Sequence, residues 1–211
     1  MKSVLSKFFN LHLRRGVRAI ELNHRSLLQR FAPVFAGAQR LGFSEPIVRG
    51  GAVRDALLGN EINDYDLYVS RVQVVDGLKL PSIHAPNADE FFRSWLSDRV
   101  ELSDGEAHRQ RLMDRPYLAF EVRFDGIDHP VDLVINDEVL SPEKLALEAD
   151  ATMNAVAASR TKIVAHPLFW PDTEAHIFRP TCATIGNLIS APARYRAKFA
   201  RRDSGLKYRC F

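Results

Sequence analysis

The sequence predicts an α/β (α+β) domain, a small mixed β-sheet flanked by helices. Three observations carry that expectation. Short strand-like apolar runs alternate with stretches of helical period. The Asp-Gly pair in "DGID" joins two of these runs as a hairpin. A chain of 211 residues with 46% hydrophobic content can enclose one substantial core.

The elements follow in chain order. In "HRSLLQRFAPVFAGAQRLGF" the residues Leu27, Leu28, Phe31, Val34, Phe35, Ala38 and Leu41 fall near helical spacing, which predicts a helix over 24–42 with Pro33 as a point of break or bend. "EPIVRGG" reads as a short strand running into a glycine turn, "AVRDALLG" as one or two helical turns closed by Gly59, and "YDLYVS" as a strand. Residues 72–87 read as an irregular connection with a strand fragment. "NADEFFRSWLSDRV" opens with Asn87 as a cap and sets Phe91, Phe92, Trp95 and Leu96 at core-helix spacing, predicting a helix over 87–100. "YLAFEVRF" and "HPVDLVI" are the hairpin strands. In "SPEKLALEADATMNAVAAS", Ser141 is a helix cap, Pro142 takes the first helical position and Glu143 stands just inside, predicting a helix over 141–158. Three stretches result: a basic N-terminal segment (1–22), a head domain (23–185) and a basic C-terminal tail (186–211).

Charge is spread unevenly. The net charge is +3, yet residues 1–20 hold five Lys/Arg and no acid, and residues 194–211 hold seven Lys/Arg against Asp203. The centre is therefore acidic, a pattern suited to basic ends that meet a polyanion around a cation-holding middle; solvated basic termini are the plainer reading. Cys182 and Cys210 fit no zinc or C-x-x-C spacing, which argues against a disulfide framework and for a reducing compartment. No apolar run approaches the roughly 18–20 residues that span a bilayer. The expected location is cytoplasmic; an organellar transit peptide is the minor alternative for the Arg-rich, acid-free N-terminus, beside a plain basic amphipathic helix.

The chemistry is concentrated in "IVRGGAVRDALLGNEINDYDLYVS". Alternate strand residues share a face, so Asp64 and Asp66 point the same way with Tyr65 opposite. Two such carboxylates repel each other unless a cation sits between them. Asp132 interrupts the apolar run of Val131, Leu133, Val134 and Ile135, where a lone charge is costly to bury, and it joins the other two if the hairpin strand pairs beside theirs. Such a trio of hard oxygen ligands suits two Mg²⁺ ions roughly 3.5–4 Å apart, with Mn²⁺ as a substitute. Gly50 and Gly51, lacking Cβ atoms, let backbone N–H groups approach phosphate oxygens.

Taken together, "GGAVRDALLGNEINDYDLYV" resembles the signature of the polymerase-beta nucleotidyltransferase superfamily, specifically the head domain of CCA-adding enzymes and bacterial poly(A) polymerases. "ADATMNAVA" is similar to a second stretch of that family, matching at Asp150, Thr152, Asn154, Ala155 and Ala157, with Ala149 and Ala151 in place of the usual Arg and Phe. The resemblance implies a palm-like nucleotidyltransferase fold. It implies Asp64 and Asp66 as metal ligands, Asp132 as the third carboxylate near the acceptor hydroxyl, and Gly50 and Gly51 as triphosphate grips. Arg54 and Asp55 would brace that loop or touch phosphate, and Asn154 would lie beside the nucleotide. "APARYRAKFARRDSGLKY" faintly resembles the family's neck helix, without the acidic residue that precedes its proline. The expectation is a stand-alone catalytic head with a basic tail.

Two metal-driven reactions are compatible with this reading. If Arg194, Arg196, Lys198, Arg201 and Arg202, interleaved with Tyr195, Phe199 and Tyr208, grip RNA, the protein adds nucleotides from a nucleoside triphosphate to a tRNA-like 3′ end, releasing pyrophosphate. If the tail only closes the core as an amphipathic helix, the same head could move a nucleotide onto a protein or small molecule, as toxin-antitoxin and phage nucleotidyltransferases do. A third reading, from the departures at 149 and 151, is a nucleotide- or RNA-binding module without turnover; retention of all three carboxylates argues against it.

Overall fold

The computed structural model describes residues 17–103, 108–112, 115–179, 181 and 209–210. Its centre is a mixed sheet. Strands β1 (Ile20–Leu22), β2 (Ile47–Arg49), β3 (Tyr65–Ser70), β4 (Glu101–Leu102), β5 (His108–Leu112), β6 (Arg115–Arg123), β7 (Val131–Asn136), β8 (Val156–Ala158) and β9 (Ile163–Ala165) run in the order β1-β9-β8-β2-β3-β7-β6-β4, with β5 also on β6. All pairs are antiparallel except β3 with β7. A separate parallel pair joins β10 (Ile177–Phe178) to β11 (Arg209–Cys210). Ile20–Leu22, at the end of the basic N-terminal segment, is thus the sheet's edge strand on β9.

Alternation along the strands separates two cores. Val48 of β2, Leu67 and Val69 of β3, Leu133 and Ile135 of β7 and Phe120 of β6 face one way. There they meet Val34, Phe35 and Ala38 of helix α1 (Ala32–Arg40), Ala52, Val53 and Ala56 of α2 (Gly51–Leu57) and Phe92 and Leu96 of α3 (Ala88–Ser97). Ile47, Tyr68 and Val134 face the other way, into a smaller core beneath Leu145 and Ala146 of α4 (Pro142–Leu147). Helix α5 (Phe169–Glu174) buries Phe169 in the main core. Among the described residues no helix is long and apolar enough to cross a membrane.

Three local expectations change. The helix expected over 24–42 divides into a 3₁₀ segment, Arg25–Phe31, and α1, where Pro33 occupies the first turn, in which its missing N–H costs nothing. Asn87 stands at the start of α3, but its side chain makes no capping bond. The helix expected over 141–158 is capped by Ser141, whose Oγ accepts from the Lys144 N–H at 3.2 Å, yet it ends at Leu147. Beyond it the backbone bonds elsewhere: the Thr152 N–H donates to the Arg179 carbonyl, the His166 N–H to the Ala155 carbonyl, and Val156–Ala158 enter the sheet as β8. Sheet and loop partners outcompete helical bonds there, and Thr152–Asn154 is left as one 3₁₀ turn.

Candidate active site

One row of residues crosses four strands. In the β2–β3 register Arg49 stands opposite Asp66; in β3–β7 Asp66 stands beside Asp132; in β7–β6 Asp132 stands opposite Glu121. Asp66 and Asp132 are each the second residue of their strand, and each is exposed between buried neighbours, on the face that α4 covers farther along. Parallel pairing of β3 with β7 thus brings Asp132 beside Asp66, the outcome expected if its strand pairs beside theirs, at the roughly 4.7–4.9 Å spacing of adjacent strands. Asp64 is exposed, just before β3 begins. Among the described residues no group of three or more His, Cys, Asp or Glu side chains is gathered tightly enough to hold a metal ion. Asp66 and Asp132 alone still suit Mg²⁺, which is commonly bound by one or two carboxylates, with phosphate oxygens and water completing its shell.

Gly50 turns the chain from β2 into α2 at φ +72°, ψ −122°, a conformation open to glycine. A Cβ there would lie 3.8 Å from Asp66 Oδ2, so the glycine also keeps the space beside that carboxylate clear. The Gly50 N–H donates to the Val156 carbonyl at 2.9 Å. The Gly50 amide, one of the two expected to approach phosphate, thus holds β8 against the turn in this structure.

Arg54 and Asp55 lie inside the molecule, 1% and 3% exposed. Arg54 Nε and Nη2 reach Asp55 Oδ1 at 3.0 and 2.9 Å, and Nη1 donates to Asn154 Oδ1 at 2.5 Å. Asn154 Nδ2 in turn reaches Asp150 Oδ1 at 3.5 Å. Of the two roles left open for Arg54 and Asp55, the geometry is that of a brace, tying α2 to the 3₁₀ turn that carries Asn154. A second anchor holds that turn from behind: Thr152 Oγ1 donates to the buried Asp172, which Arg179 clasps with two nitrogens at 2.9 and 3.1 Å. Arg194, Arg196, Lys198, Arg201 and Arg202 lie outside the described residues.

Several residues of the site were not singled out from the sequence. Arg49 is buried, with its guanidinium carbon 5.0 Å from the Tyr68 ring centre. Burial pulls its pKa down, but Tyr68, Asp66, Asp150 and Glu148 together carry it above the ordinary arginine value. Burial pushes the Tyr68 hydroxyl up to about 12, against the pull of Arg49. Burial likewise raises Tyr117, with Arg49 opposing and Asp66 and Asp132 adding to the rise. Glu121 is exposed and accepts from Ser103 Oγ at 2.5 Å. The available signal was strand alternation: Arg49 shares the parity of Ile47, and Glu121 the parity of Tyr117 and Ala119, so each faces the carboxylates once the strands pair.

No protein-family model matches this chain, and no curated protein matches it. Solved structures do. The Thermotoga maritima CCA-adding enzyme complexed with tRNA is similar over 91% of this chain and 43% of its own, with a TM-score of 0.50 and 19% identity. A CCA-adding enzyme in complex with CTP is similar over 91% of this chain and 42% of its own, with a TM-score of 0.50 and 17% identity. The chain thus spans less than half the length of either enzyme. The chain therefore has a CCA-adding-enzyme-like nucleotidyltransferase fold.

Proposed function

We propose that the chain is a metal-dependent nucleotidyltransferase that moves a nucleoside monophosphate from a nucleoside triphosphate to an acceptor hydroxyl, foremost an RNA 3′ end of tRNA type. The observation that best supports this is the register pairing of Asp66 with Asp132 on an open sheet face, beside a glycine turn that leaves space at Asp66 Oδ2. In the reaction the acceptor oxygen forms a bond to the α-phosphorus, the bond from that phosphorus to the β-phosphate oxygen breaks, the hydroxyl proton is lost and pyrophosphate departs. Asp66 and Asp132, with Asp64 the nearest further carboxylate in sequence, would hold Mg²⁺ or Mn²⁺, which when bound neutralises triphosphate charge and lowers the pKa of the attacking hydroxyl. Asp132 lies on the acceptor side and favours release of the hydroxyl proton. The turn at Gly50 and Gly51 gives the departing phosphates room to approach the backbone. Asn154, held by Arg54 and the Thr152–Asp172 anchor, presents a fixed amide to the nucleotide.

The test is incorporation of each α-labelled nucleoside triphosphate, with Mg²⁺, into total RNA and total protein, beside D66N and D132N variants shown to be folded. Label in RNA that disappears in both variants supports the proposal and identifies the base. Label in protein moves the acceptor to the protein-modifying class. No label from a folded chain that still binds nucleotide or RNA would sink the transfer reaction and leave a binding module.

A further inference from the structure

We propose that Arg49 is a phosphate-contacting residue of this site, its guanidinium donating to an oxygen of the triphosphate chain. The inference rests on the nucleotidyl-transfer reading and assigns that site a further ligand contact.

Four observations converge on it. Arg49 closes β2 and is followed at once by the Gly50 turn, so its backbone and the space beside Asp66 Oδ2 belong to one corner. The residue is 9% exposed, and Nη1 is covered and has no hydrogen-bond partner among the described residues. A buried guanidinium N–H left unmet costs more than a neutral one, because the charged group loses its hydration without a replacement. The ring of Tyr68 supports the guanidinium plane at 5.0 Å, which fixes the direction of the remaining N–H groups, as a planar fork needs if it is to meet a phosphate. Finally, the surroundings are acidic: Asp66 in cross-strand register, with Asp150 and Glu148 near enough to act on the charge. A polyanionic triphosphate approaching such a face is favoured by a preorganised cation, and Arg49 is already in place and largely desolvated. Its charge is felt by Glu148 and Asp150, on either side of Ala149, where the resemblance leads one to expect an arginine.

A purely structural role would have Arg49 serve as counter-ion and positioner of Asp66, acting on the cation rather than on phosphate. The two roles separate by probe. Binding of inorganic tripolyphosphate, with divalent ions chelated, is measured by calorimetry for the full chain and for R49M, R49Q and R49K, each checked for folding by thermal denaturation. Mn²⁺ binding without nucleotide is measured in parallel by electron paramagnetic resonance. The expected result is a loss of tripolyphosphate affinity of about ten- to a hundredfold in R49M and R49Q, a smaller loss in R49K, and unchanged Mn²⁺ affinity. Equal tripolyphosphate affinity in any folded R49M or R49Q overturns the proposal. So does a fall in Mn²⁺ affinity that matches the fall in tripolyphosphate affinity, since Arg49 would then act through Asp66. A wild-type chain that binds no tripolyphosphate also overturns it, whereas wild-type binding without nucleotide transfer to any acceptor refutes the functional reading and leaves the contact standing.

Discussion

Replacing Gly50 with alanine isolates the backbone that builds the site from the charges that occupy it. At φ +72°, ψ −122° the residue lies outside the regions open to L-side chains, a position that costs about 1–3 kcal/mol. No clash adds to this, because the nearest atom to the new methyl carbon is Asp66 Oδ2 at an ordinary 3.8 Å. The alanine also restricts the unfolded chain, which returns about 0.4–1 kcal/mol. The net loss is therefore about 1–2 kcal/mol, or a fall in Tm of about 2–8 °C for a domain of this size. Urea titration reads the change as a lower midpoint at constant slope. A loss below about 0.5 kcal/mol would refute the claim that the turn requires glycine, since surface substitutions away from special features commonly stay within that range. Nucleotide transfer measured well below the new Tm is expected to fall further than stability does, because the methyl group takes up space beside Asp66.

D66N and D132N are each expected to lower transfer by on the order of a hundredfold or more while changing Tm little, since both carboxylates are exposed and relief of their repulsion offsets what Asp66 gives Arg49; transfer assays and calorimetry check both. Gly37 sits in α1 with Phe124 ring atoms only 2.5–2.7 Å from where its Cβ would be, so G37A is expected to overpack the core by about 1–3 kcal/mol in a urea titration, and a neutral result would mean that the ring swings aside freely. D172A removes the nearer acceptor of the buried Thr152 hydroxyl, leaving the Arg179 carbonyl at 3.5 Å, and the carboxylate that Arg179 clasps, for an expected cost of about 2–3 kcal/mol and a weakened nucleotide affinity through Asn154; full retention of both would refute the anchoring role. Burial holds His166 below the ordinary histidine pKa of 6.5, with Asp172 opposing and Arg179 reinforcing. The unfolded chain therefore takes up a proton first as pH falls, so stability is expected to decline as pH drops through about 6.5 and below. H166N keeps an acceptor for the Leu168 N–H and is expected to flatten that slope; an unchanged slope would acquit His166.

The segment from the glycine turn to the end of β3 was legible residue by residue, because its signals are local: Gly50, strand alternation in "YDLYVS", and the Asp-Gly hairpin that sets β7 beside β6. Even the meeting of Asp66 with Asp132 followed from alternation once the two strands were placed side by side. The helix expected over 141–158 was misread beyond Leu147 because "NAVAAS" suits either period, and only the neighbours of β8 decide between them. Strands of three residues, such as β1, β8 and β9, are too short to show alternation at all. Arg49 escaped notice for a different reason. An arginine beside a glycine pair looks like an ordinary turn residue until Tyr68, two places beyond Asp66, is seen to lie under it.

The position of β2 carries a further consequence. Its neighbours come from distant stretches of chain, β3 from residues 65–70 and β8 from residues 156–158. While a nascent chain is still short of β8, the strand that leads into the glycine turn has one row of backbone donors and acceptors facing outward, a template on which another copy can add itself. The Gly50 N–H is among the groups that close this flank when the Val156 carbonyl arrives. A fragment ending before β8 would hold every residue of the glycine-aspartate signature and still be expected to aggregate, so the signature is a piece of a fold and not a portable module. Fusions or split versions of this protein should keep β2, β8, its partner β9 and the Asp172–Arg179 anchor on one piece.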